Sequence, residues 1–164
     1  MLIILGGLPG VGKTTVAREL ARELGAVHVR IDSIEQTIRD AGVVVEDLGY
    51  RVGYAVAADN LRLGRTVVAD SVNPWPLTRA AWREVASHAS VPALEVEITC
   101  SSTEEHRRRV ETRIADVDGL RLPSWQQVLD RDYRPWENAD IVIDTAEEDV
   151  QRIVAVIKVA VSRS

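Results

Sequence analysis

A glycine-rich stretch near the start of the sequence has residue types and a spacing that could bind phosphate groups. Glycines adopt backbone conformations that side chains forbid, so successive N–H groups can point at phosphate oxygens. The helix that begins at the end of such a loop adds its positive N-terminal end. The residues, which match the phosphate-binding pattern G-x-x-x-x-G-K-[ST], are Gly7, Leu8, Pro9, Gly10, Val11, Gly12, Lys13 and Thr14. This stretch predicts a site for the phosphates of a nucleotide.

The last residues of the stretch have side chains for two further tasks. Lys13 would reach the β- and γ-phosphates as a point charge, and the hydroxyl of Thr14 would bind Mg²⁺. Thr15 follows in the first helical turn, and we assign it to the nucleotide site as well. Lysine occurs only at positions 13 and 158, in a chain that otherwise uses arginine for its cations. The Asn-Lys-x-Asp element that GTPases use for guanine would need a further lysine, so ATP is the expected nucleotide.

Two aspartates follow apolar stretches and would lie at the same edge of a sheet as the loop. Asp32 follows Val27–Ile31, and Asp70 follows Thr66–Ala69. In a parallel sheet, ligands gather at the carboxyl ends of the strands. We expect Asp32 to accept a proton from a substrate hydroxyl, to hold Mg²⁺ through water, or to cap a helix. Asp70 could be the acidic partner of Mg²⁺ or could orient the substrate.

A cluster of arginines at residues 107–113 could neutralise the charge on a transferred phosphoryl group. Arg109 and Arg113 are spaced one helical turn apart and are the strongest candidates. Arg121 lies in the stretch 116–123, the most loop-like interior segment, where a mobile lid could lie. The alternative is a solvated helix face with three ion pairs, Glu104–Arg108, Glu105–Arg109 and Arg107–Glu111.

Other polar and aromatic residues have weaker assignments. Asn73 is expected to cap a helix that Pro74 begins. Cys100 is expected to be buried at the end of a strand. Four aromatic residues could line a substrate pocket but fit a core better: Tyr50, Tyr54, Trp75 and Trp82. Arg39 and Arg51 fit an anionic substrate or a solvated surface equally, and His28, His88 and His106 show no ligand spacing.

Short apolar stretches alternate with longer amphipathic segments, which predicts an α/β fold with a parallel sheet covered on both faces. The predicted strands are Leu2–Leu5, Val27–Ile31, Thr66–Ala69, Leu94–Thr99 and Ile141–Ile143. The predicted helices are Lys13–Leu24, Ser33–Ala41, Glu46–Leu63, Pro74–Ser90, Ser102–Val117, Ser124–Tyr133 and Thr145–Val161. Ser33, Ser102, Ser124 and Thr145 each precede Glu or Gln by three residues, which predicts four capping boxes.

The composition narrows the class of protein. The length of 164 residues predicts a single domain over 1–164. A net charge of −5 argues against non-specific binding of nucleic acid. The single cysteine excludes an intrachain disulfide and a cysteine-rich metal site. The sequence has no apolar run long enough for a membrane span and no signal-peptide pattern, so we expect a cytoplasmic protein.

Taken together, these motifs resemble the small phosphate-loop kinases. The resemblance lies in the loop Gly7–Thr14, Asp32 within Arg30–Ile34, the turn Asp70–Asn73 and the arginine-rich helix. The group includes adenylate kinase, shikimate and gluconate kinases, chloramphenicol phosphotransferase and the polynucleotide 5′-kinase domain. The resemblance implies a three-layer α/β sandwich, with a five-stranded parallel sheet in the order 2-3-1-4-5 and a lid over roughly 107–123.

The resemblance also implies an activity, the transfer of the γ-phosphoryl group of MgATP to a hydroxyl of a small molecule. Asp32 would be the base, Arg109 and Arg113 would contact the phosphates, and adenine would lie near Arg121 and the turn after Asp144. Two alternatives stay open. The acceptor could be the 5′-hydroxyl of a polynucleotide, against which the acidic net charge counts, or the chain could be a regulatory ATP-binding module that transfers nothing.

Overall fold

The computed structural model describes residues 1–163 and has a central sheet of five parallel strands in the order β2-β3-β1-β4-β5. All five residues of the central strand, β1, are buried, which explains its continuous apolar sequence. The observed order of the strands confirms the order that the resemblance implies. The strands are β1 (Leu2–Gly6), β2 (Val27–Arg30), β3 (Val67–Asp70), β4 (Ala93–Thr99) and β5 (Ile141–Asp144).

Helices cover both faces of this sheet and make two separate cores. Ile3 and Leu5 of β1 face one core with the first and last helices, whereas Leu2 and Ile4 face the other core, which contains Trp82. This alternation follows from the two-residue period of a strand. The helices are α1 (Lys13–Leu24), α2 (Ile31–Asp40), α3 (Leu48–Arg62), α4 (Pro76–His88), α5 (Thr103–Thr112), α6 (Trp125–Leu129) and α7 (Val150–Val161). Within residues 1–163, none of them is long and apolar enough to cross a bilayer.

The parallel pairing brings the carboxyl ends of the strands to one edge. Leu5 of β1 pairs with Asp70 of β3, and Arg30 of β2 pairs with the same Asp70. The glycine-rich loop leaves β1 at this edge, and α2 begins there directly after β2. The register therefore places the loop, Asp70 and the first turn of α2 next to one another.

Two of the four predicted capping boxes are wrong. α2 begins at Ile31, without a connecting loop, so Ser33 lies inside its first turn and cannot cap it. Asp32 consequently lies in the first turn of α2 and not at the end of a strand. α7 begins at Val150, and its cap is the side chain of Asp149 rather than Thr145.

The other two predicted caps are present at least in part. Ser124 and Gln127 form the complete reciprocal box at the start of α6. The Ser102 side chain accepts a hydrogen bond from the N–H of Glu105 at 3.3 Å. The Glu105 carboxylate accepts from two arginines of α5 instead of returning to the cap, so this box is only half formed.

Several helices are shorter than the apolar pattern predicts. α5 ends at Thr112, because Arg113 is already extended. α4 begins at Pro76 rather than Pro74, since Trp75 is also extended. α6 ends at Leu129, and the chain continues from there to β5 without regular structure.

Candidate active site

The glycine-rich loop has a backbone that only glycine can adopt at its key positions. Gly7, Gly10 and Gly12 have φ angles of +138°, +87° and +100°. A Cβ atom at Gly7 would also collide with the carbonyl oxygen of Ile98. The Gly7 N–H donates to the carbonyl of Val72 at 3.1 Å. The loop is therefore fixed between β1, β4 and the turn after β3, in front of α1.

Lys13 lies inside the loop, and its ammonium group interacts with the charges of the two predicted carboxylates. Its side chain is buried, and Nζ donates a hydrogen bond to the carbonyl of Leu8 at 2.8 Å. Burial lowers the pKa of Lys13 to about 8, and the nearby carboxylates of Asp70 and Asp32 oppose this shift. Arg131, which sequence reasoning missed, is close enough to lower the pKa of Lys13 further. The ammonium group thus lies between negative and positive side chains at the sheet edge.

Asp70 is buried at the end of β3, and its carboxylate is oriented by His28. The two side chains approach to 3.2 Å between His28 Nε2 and Asp70 Oδ2. His28 had no predicted role, although it lies two residues before Arg30, the cross-strand partner of Asp70, and therefore on the same face of the sheet. Asp70 lies where an acidic magnesium partner is predicted, beside the start of α1.

The donor atoms at this position fit a magnesium ion. The Thr14 hydroxyl and the Asp70 carboxylate both supply the hard oxygen ligands that Mg²⁺ prefers. Magnesium in nucleotide sites keeps water and phosphate ligands and needs only one or two protein side chains. Within residues 1–163, no group of three or more His, Cys, Asp or Glu side chains forms a separate metal site. The residues thus match an ion that arrives with a nucleotide.

Asp32 lies in the first turn of α2, two residues after Arg30, the cross-strand partner of Asp70. Its side chain is 49% exposed, and its Oδ2 atom lies 3.8 Å from the guanidinium of Arg30. Asp32 also acts on Arg113, where it opposes the lowering of the pKa by burial. Lys13, Asp32 and Arg113 are therefore electrostatic neighbours, and the half-exposed carboxylate is open to an incoming molecule.

Arg109 does not point to the same place as Arg113. Its guanidinium donates to Glu105 at 2.7 Å and to the side-chain and backbone oxygens of Thr145 at 2.8 and 3.0 Å. The Thr145 hydroxyl oxygen also lies 2.7 Å from the carbonyl of Val11. Arg109 consequently lies at the turn after β5, the region where the resemblance implies adenine.

Arg113 lies nearer to Lys13 because α5 ends one residue before it. Its Nε atom is buried and has no hydrogen-bond partner among the described residues. Burial lowers the pKa of this arginine. A buried N–H without a partner is costly, so Arg113 has a donor available for an anion at this place.

The remaining arginines of the cluster lie on the surface. Arg107 pairs with Glu111 at 2.8 Å, as the solvated alternative predicts. Arg108 pairs with Glu105 at 2.7 Å rather than with Glu104. Arg121 is exposed in the loop after α5, and none of the hydrogen bonds or ion pairs found within residues 1–163 brings it to the site. Its nucleotide role stays a prediction.

The loop at residues 113–124 is attached to the rest of the protein by ion pairs of one carboxylate, that of Asp116. Asp116 accepts two hydrogen bonds from Arg30, at 2.9 and 3.0 Å, and pairs with Arg18 of α1. Further along, Gly119 approaches Gln36 so closely that a Cβ atom would lie 2.9 Å from its amide nitrogen. This loop therefore lies against α2, and it is bound to Arg30, whose guanidinium is 3.8 Å from Asp32.

The Asp116→Asn variant is expected to loosen the 113–124 loop. Hydrogen bonds from Arg30 lower the pKa of Asp116 to about 2. A carboxylate whose pKa is lowered on folding stabilises the fold above its ordinary pKa and loses this effect as the pH falls. The protection of the loop amides against hydrogen exchange should therefore persist from pH 7 to about pH 4 and decline towards pH 2.

Hydrogen exchange of the loop amides measures this effect. Because the pair is partly exposed and screened, Asp116→Asn should speed exchange by no more than about fivefold at neutral pH. Asp118→Asn, an exposed aspartate of the same loop without an ion pair among the described residues, is the matched control. Equal exchange in the two variants would contradict the assignment of Asp116.

Asn73 is buried and does not cap a helix as predicted. It links neighbouring elements by hydrogen bonds instead. Its side chain donates to the carbonyl of Leu5 at 2.9 Å and accepts from Trp82 Nε1 at 3.1 Å. Its backbone N–H donates to the Tyr50 hydroxyl at 3.1 Å. The positive φ of 49° is tolerated by asparagine better than by most residues. Asn73 thus fixes the turn after β3 against β1 and α3.

Arg79 of α4 is a further buried polar residue, to which the sequence analysis assigned no role. Its guanidinium donates to the carbonyls of Asn73, Pro74, Arg134 and Pro135. It also lies 4.8 Å from the ring centroid of Trp136. Arg79 therefore joins the turn after β3 to the segment that returns to β5.

The aromatic and cysteine predictions have mixed outcomes. Trp82 is fully buried and its ring meets Tyr54 edge-on at 4.5 Å, as expected of core residues. Trp75 is exposed instead and donates to Asp132 at 2.8 Å. Cys100 is half-buried rather than buried. Arg39 pairs with Glu35 on the surface, and Arg51 is exposed.

Comparison with known proteins gives relatives of kinase type. A shikimate kinase of Chromobacterium violaceum is 31% identical over 159 residues, covering 92% of this chain and 84% of its own length. A probable adenylyl-sulfate kinase of Aeropyrum pernix is 28% identical over 163 residues, covering 94% and 88%. The Mycobacterium tuberculosis APS kinase CysC, solved in complex with AMPPNP and APS, has a TM-score of 0.74, 19% identity and coverage of 98% and 96%.

Other matches are much longer than this chain. An uncharacterised protein of Mycobacterium tuberculosis is 30% identical over 119 residues, which is 62% of this chain but only 23% of the relative. A family model described as an AAA domain matches residues 2–131, a range that contains the whole phosphate-binding loop, strands β1 to β4 and the arginine-rich helix. This chain therefore belongs to that AAA domain family and, with it, to the small phosphate-loop kinase superfamily.

Proposed function

We propose that this protein is an ATP-dependent kinase that transfers the γ-phosphoryl group to a hydroxyl of a small molecule. The observation that carries the proposal is Lys13, held inside a phosphate-binding loop and close enough to two carboxylates at one sheet edge to interact with their charges. A regulatory nucleotide switch has no need of a half-exposed carboxylate beside the γ-phosphate, whereas a kinase needs an acceptor base there.

The nucleotide would be held by the loop and by α1. The loop N–H groups and Lys13 bind the phosphates, and Arg109, beside the turn after β5, contacts the base or the ribose. Arg121 would reach the nucleotide from a lid over roughly 107–123, within a single domain that spans 1–164. The nucleotide contacts assigned to the loop and the start of α1 are Gly7, Leu8, Pro9, Gly10, Val11, Gly12, Lys13, Thr14 and Thr15.

Magnesium would be held by Thr14 and Asp70 together with phosphate oxygens. The ion supplies charge neutralisation on the β- and γ-phosphates when it is bound. Asp70 keeps its orientation through His28. The protein side chains thus need only present two oxygens at a fixed position.

Asp32 would act as the base of the transfer. The acceptor hydroxyl gives its proton to Asp32, its oxygen forms a bond to the γ-phosphorus, and the bond from that phosphorus to the β–γ bridging oxygen breaks, which releases ADP. Lys13 and Arg113 lie where negative charge builds up on the transferred group, and they stabilise it. The 113–124 loop, which is bound to Arg30 through Asp116, would limit the access of water to the acceptor.

The named relatives support a kinase in general and give the first acceptors to try. One is named a shikimate kinase and another an adenylyl-sulfate kinase. Both names describe phosphorylation of a small molecule. We propose these two compounds as the initial pure acceptors, followed by fractionated pools of small metabolites.

The Asp32→Asn variant tests the role of the base. We expect kcat for phosphoryl transfer to fall by about 10²-fold or more, because an amide cannot take the proton. The Kd for ATP should stay within a few-fold of the wild-type value, since the proposal assigns the nucleotide contacts to the loop and to other residues and not to Asp32. Radiolabel transfer from γ-labelled ATP measures the first quantity, and calorimetry measures the second.

Asp47→Asn is the matched control for this variant. Asp47 is an exposed aspartate before α3 and its side chain caps nothing, so its removal should leave kcat unchanged. A near-normal kcat in Asp32→Asn would remove Asp32 from the proton transfer and leave it only a metal-orienting role.

A further inference from the structure

His106 is a buried histidine on α5 that contacts the phosphate-binding loop. Its side chain is 6% exposed, and its Nε2 atom lies 2.8 Å from the carbonyl oxygen of Pro9. A carbonyl can only accept a hydrogen bond, so Nε2 must carry the proton and donate it. This contact fixes both the tautomer of His106 and the position of the Pro9 carbonyl.

The same face of α5 packs against the next residue of the loop. A Cβ atom at Gly10 would lie 2.5 Å from Val110 Cγ2 and 3.4 Å from His106 Cδ2. His106 and Val110 are one helical turn apart and therefore lie on one side of α5. The outer turn of the loop is thus held against α5 by one hydrogen bond and one close apolar contact.

The imidazole also contacts α6. The rings of His106 and Trp125 meet edge to face, with centroids 5.0 Å apart and an interplanar angle of 81°. His106 additionally lines a cavity of about 130 Å³ beside the loop, which Cys100 and Tyr133 also line. The histidine therefore stands between the loop and α6, with space next to it.

The charges around His106 keep the ring neutral. Burial lowers its pKa, and Lys13, Arg109 and Arg113 lower it further, while the bond to Pro9 opposes the shift. The loop supplies Lys13 and α5 supplies the two arginines, whereas Trp125 of α6 adds no charge. A neutral imidazole has a single N–H, so the donor that reaches Pro9 is the only one available.

We propose that His106 is a positioning residue that fixes the turn of the loop at Pro9 and transmits the position of that turn to α6 through Trp125. The proposal rests on the proposed function in one respect, namely that the loop binds a nucleotide. His106 itself touches no phosphate. It acts through the Pro9 carbonyl, whose peptide plane sets the direction of the next N–H group in the loop.

The test compares two side chains of equal length at position 106. His106→Gln keeps an N–H donor about as far from the backbone as Nε2, whereas His106→Met has a similar shape and no donor. We expect ADP to bind about tenfold more weakly to His106→Met, and within threefold of wild type to His106→Gln. Calorimetry with MgADP measures both values, and circular dichroism confirms that each variant is folded.

His88→Met is the matched control, because His88 is an exposed histidine at the end of α4. Its affinity for MgADP should equal that of wild type. The role of His106 is overturned if a folded His106→Met binds MgADP within twofold of wild type. It is also overturned if His106→Gln binds as weakly as His106→Met, since the hydrogen bond would then not be the cause.

The emission of Trp125 in the wild-type protein provides a measurement that does not depend on the folding of a variant at position 106. MgADP should change the Trp125 emission, identified by subtracting the spectrum of Trp125→Phe. An emission that MgADP leaves unchanged, in a protein that calorimetry shows to bind MgADP, overturns the coupling while leaving the proposed function intact. A wild-type protein that binds no MgADP overturns both.

Discussion

Replacing Lys13 with alanine is expected to lower phosphoryl transfer by about 10³-fold, because in the proposed function the buried ammonium is the fixed charge that the γ-phosphate meets. Lys13 is 8% exposed, and the charges of Asp32 and Asp70 act on its ammonium group. A preorganised charge at the reacting group stabilises the transition state more than the same charge in water. The affinity for MgATP should fall together with kcat.

The Lys13→Ala variant should nevertheless remain folded. Burial lowers the pKa of Lys13 to about 8, which means that the fold disfavours its charged form. Removing this side chain therefore relieves a desolvation cost and loses a single hydrogen bond to Leu8. A thermal melt and a far-UV spectrum close to those of wild type would show that the loss of activity is local.

Lys158→Ala is the matched control, since Lys158 is the only other lysine of the chain. It lies on α7, where its Nζ atom pairs with Glu23 at 2.5 Å on the surface. This variant should keep wild-type activity, because exposed ion pairs contribute little. Transfer by Lys13→Ala at the rate of Lys158→Ala would show that the loop does not position the γ-phosphate.

The Arg79→Ala variant is expected to lower the free energy of unfolding by about 3 to 4 kcal/mol. Arg79 is 5% exposed and donates to four backbone carbonyls, from Asn73, Pro74, Arg134 and Pro135. Alanine would leave these acceptors without a donor in a buried place, and it would also remove the contact with Trp136. For a chain of this size, the midpoint of thermal unfolding should fall by about 10 °C.

Arg62→Ala provides the comparison for this stability effect. Arg62 lies on α3 and pairs with the exposed Asp59 at 3.1 Å. Its removal should change the free energy of unfolding by less than about 1 kcal/mol. Urea unfolding of both variants gives the two values. An Arg79→Ala protein as stable as Arg62→Ala would show that the four carbonyls find other partners.

The fold could be predicted to a large extent because its signals are local. Apolar runs such as Leu2–Leu5 indicate strands buried on both faces, and alternation with amphipathic helices indicates a parallel sheet. The order of the strands came from the resemblance to the small phosphate-loop kinases, and the structure confirms it. The phosphate-binding loop is likewise a contiguous pattern, and its glycines have the positive φ angles that the pattern implies.

The capping signals were less reliable, because several residues can compete for one helix start. Ser33 has the sequence of a cap, but α2 starts two residues earlier, directly from β2. Thr145 fails for another reason. Its hydroxyl and carbonyl are used by Arg109, and Asp149 caps α7 instead. The start of α2 depends on where β2 ends, and the start of α7 depends on the contacts of Thr145 with a distant arginine. Neither can be predicted from a local sequence pattern.

The sequence also could not predict that Arg109 and Arg113 of the arginine cluster lie at different places. Regular helical spacing places Arg109 and Arg113 on one face, but α5 ends at Thr112. Arg109 binds Thr145, while Arg113 interacts electrostatically with Lys13 and Asp32. The buried roles of Asn73 and Arg79 depend on partners far away in the chain, such as Leu5 and Pro135, and no local pattern marks them.

The measurement that tests the central claim most directly is transfer of label from γ-labelled ATP with Mg²⁺. The acceptors are shikimate, adenylyl sulfate and pooled small metabolites in one reaction series and a 5′-hydroxyl oligonucleotide in the other, with Lys13→Ala as the blank. We predict label in a small molecule with the wild-type protein and none with the blank. Label only in the oligonucleotide, or no label in a protein that binds ATP tightly, would contradict a small-molecule kinase.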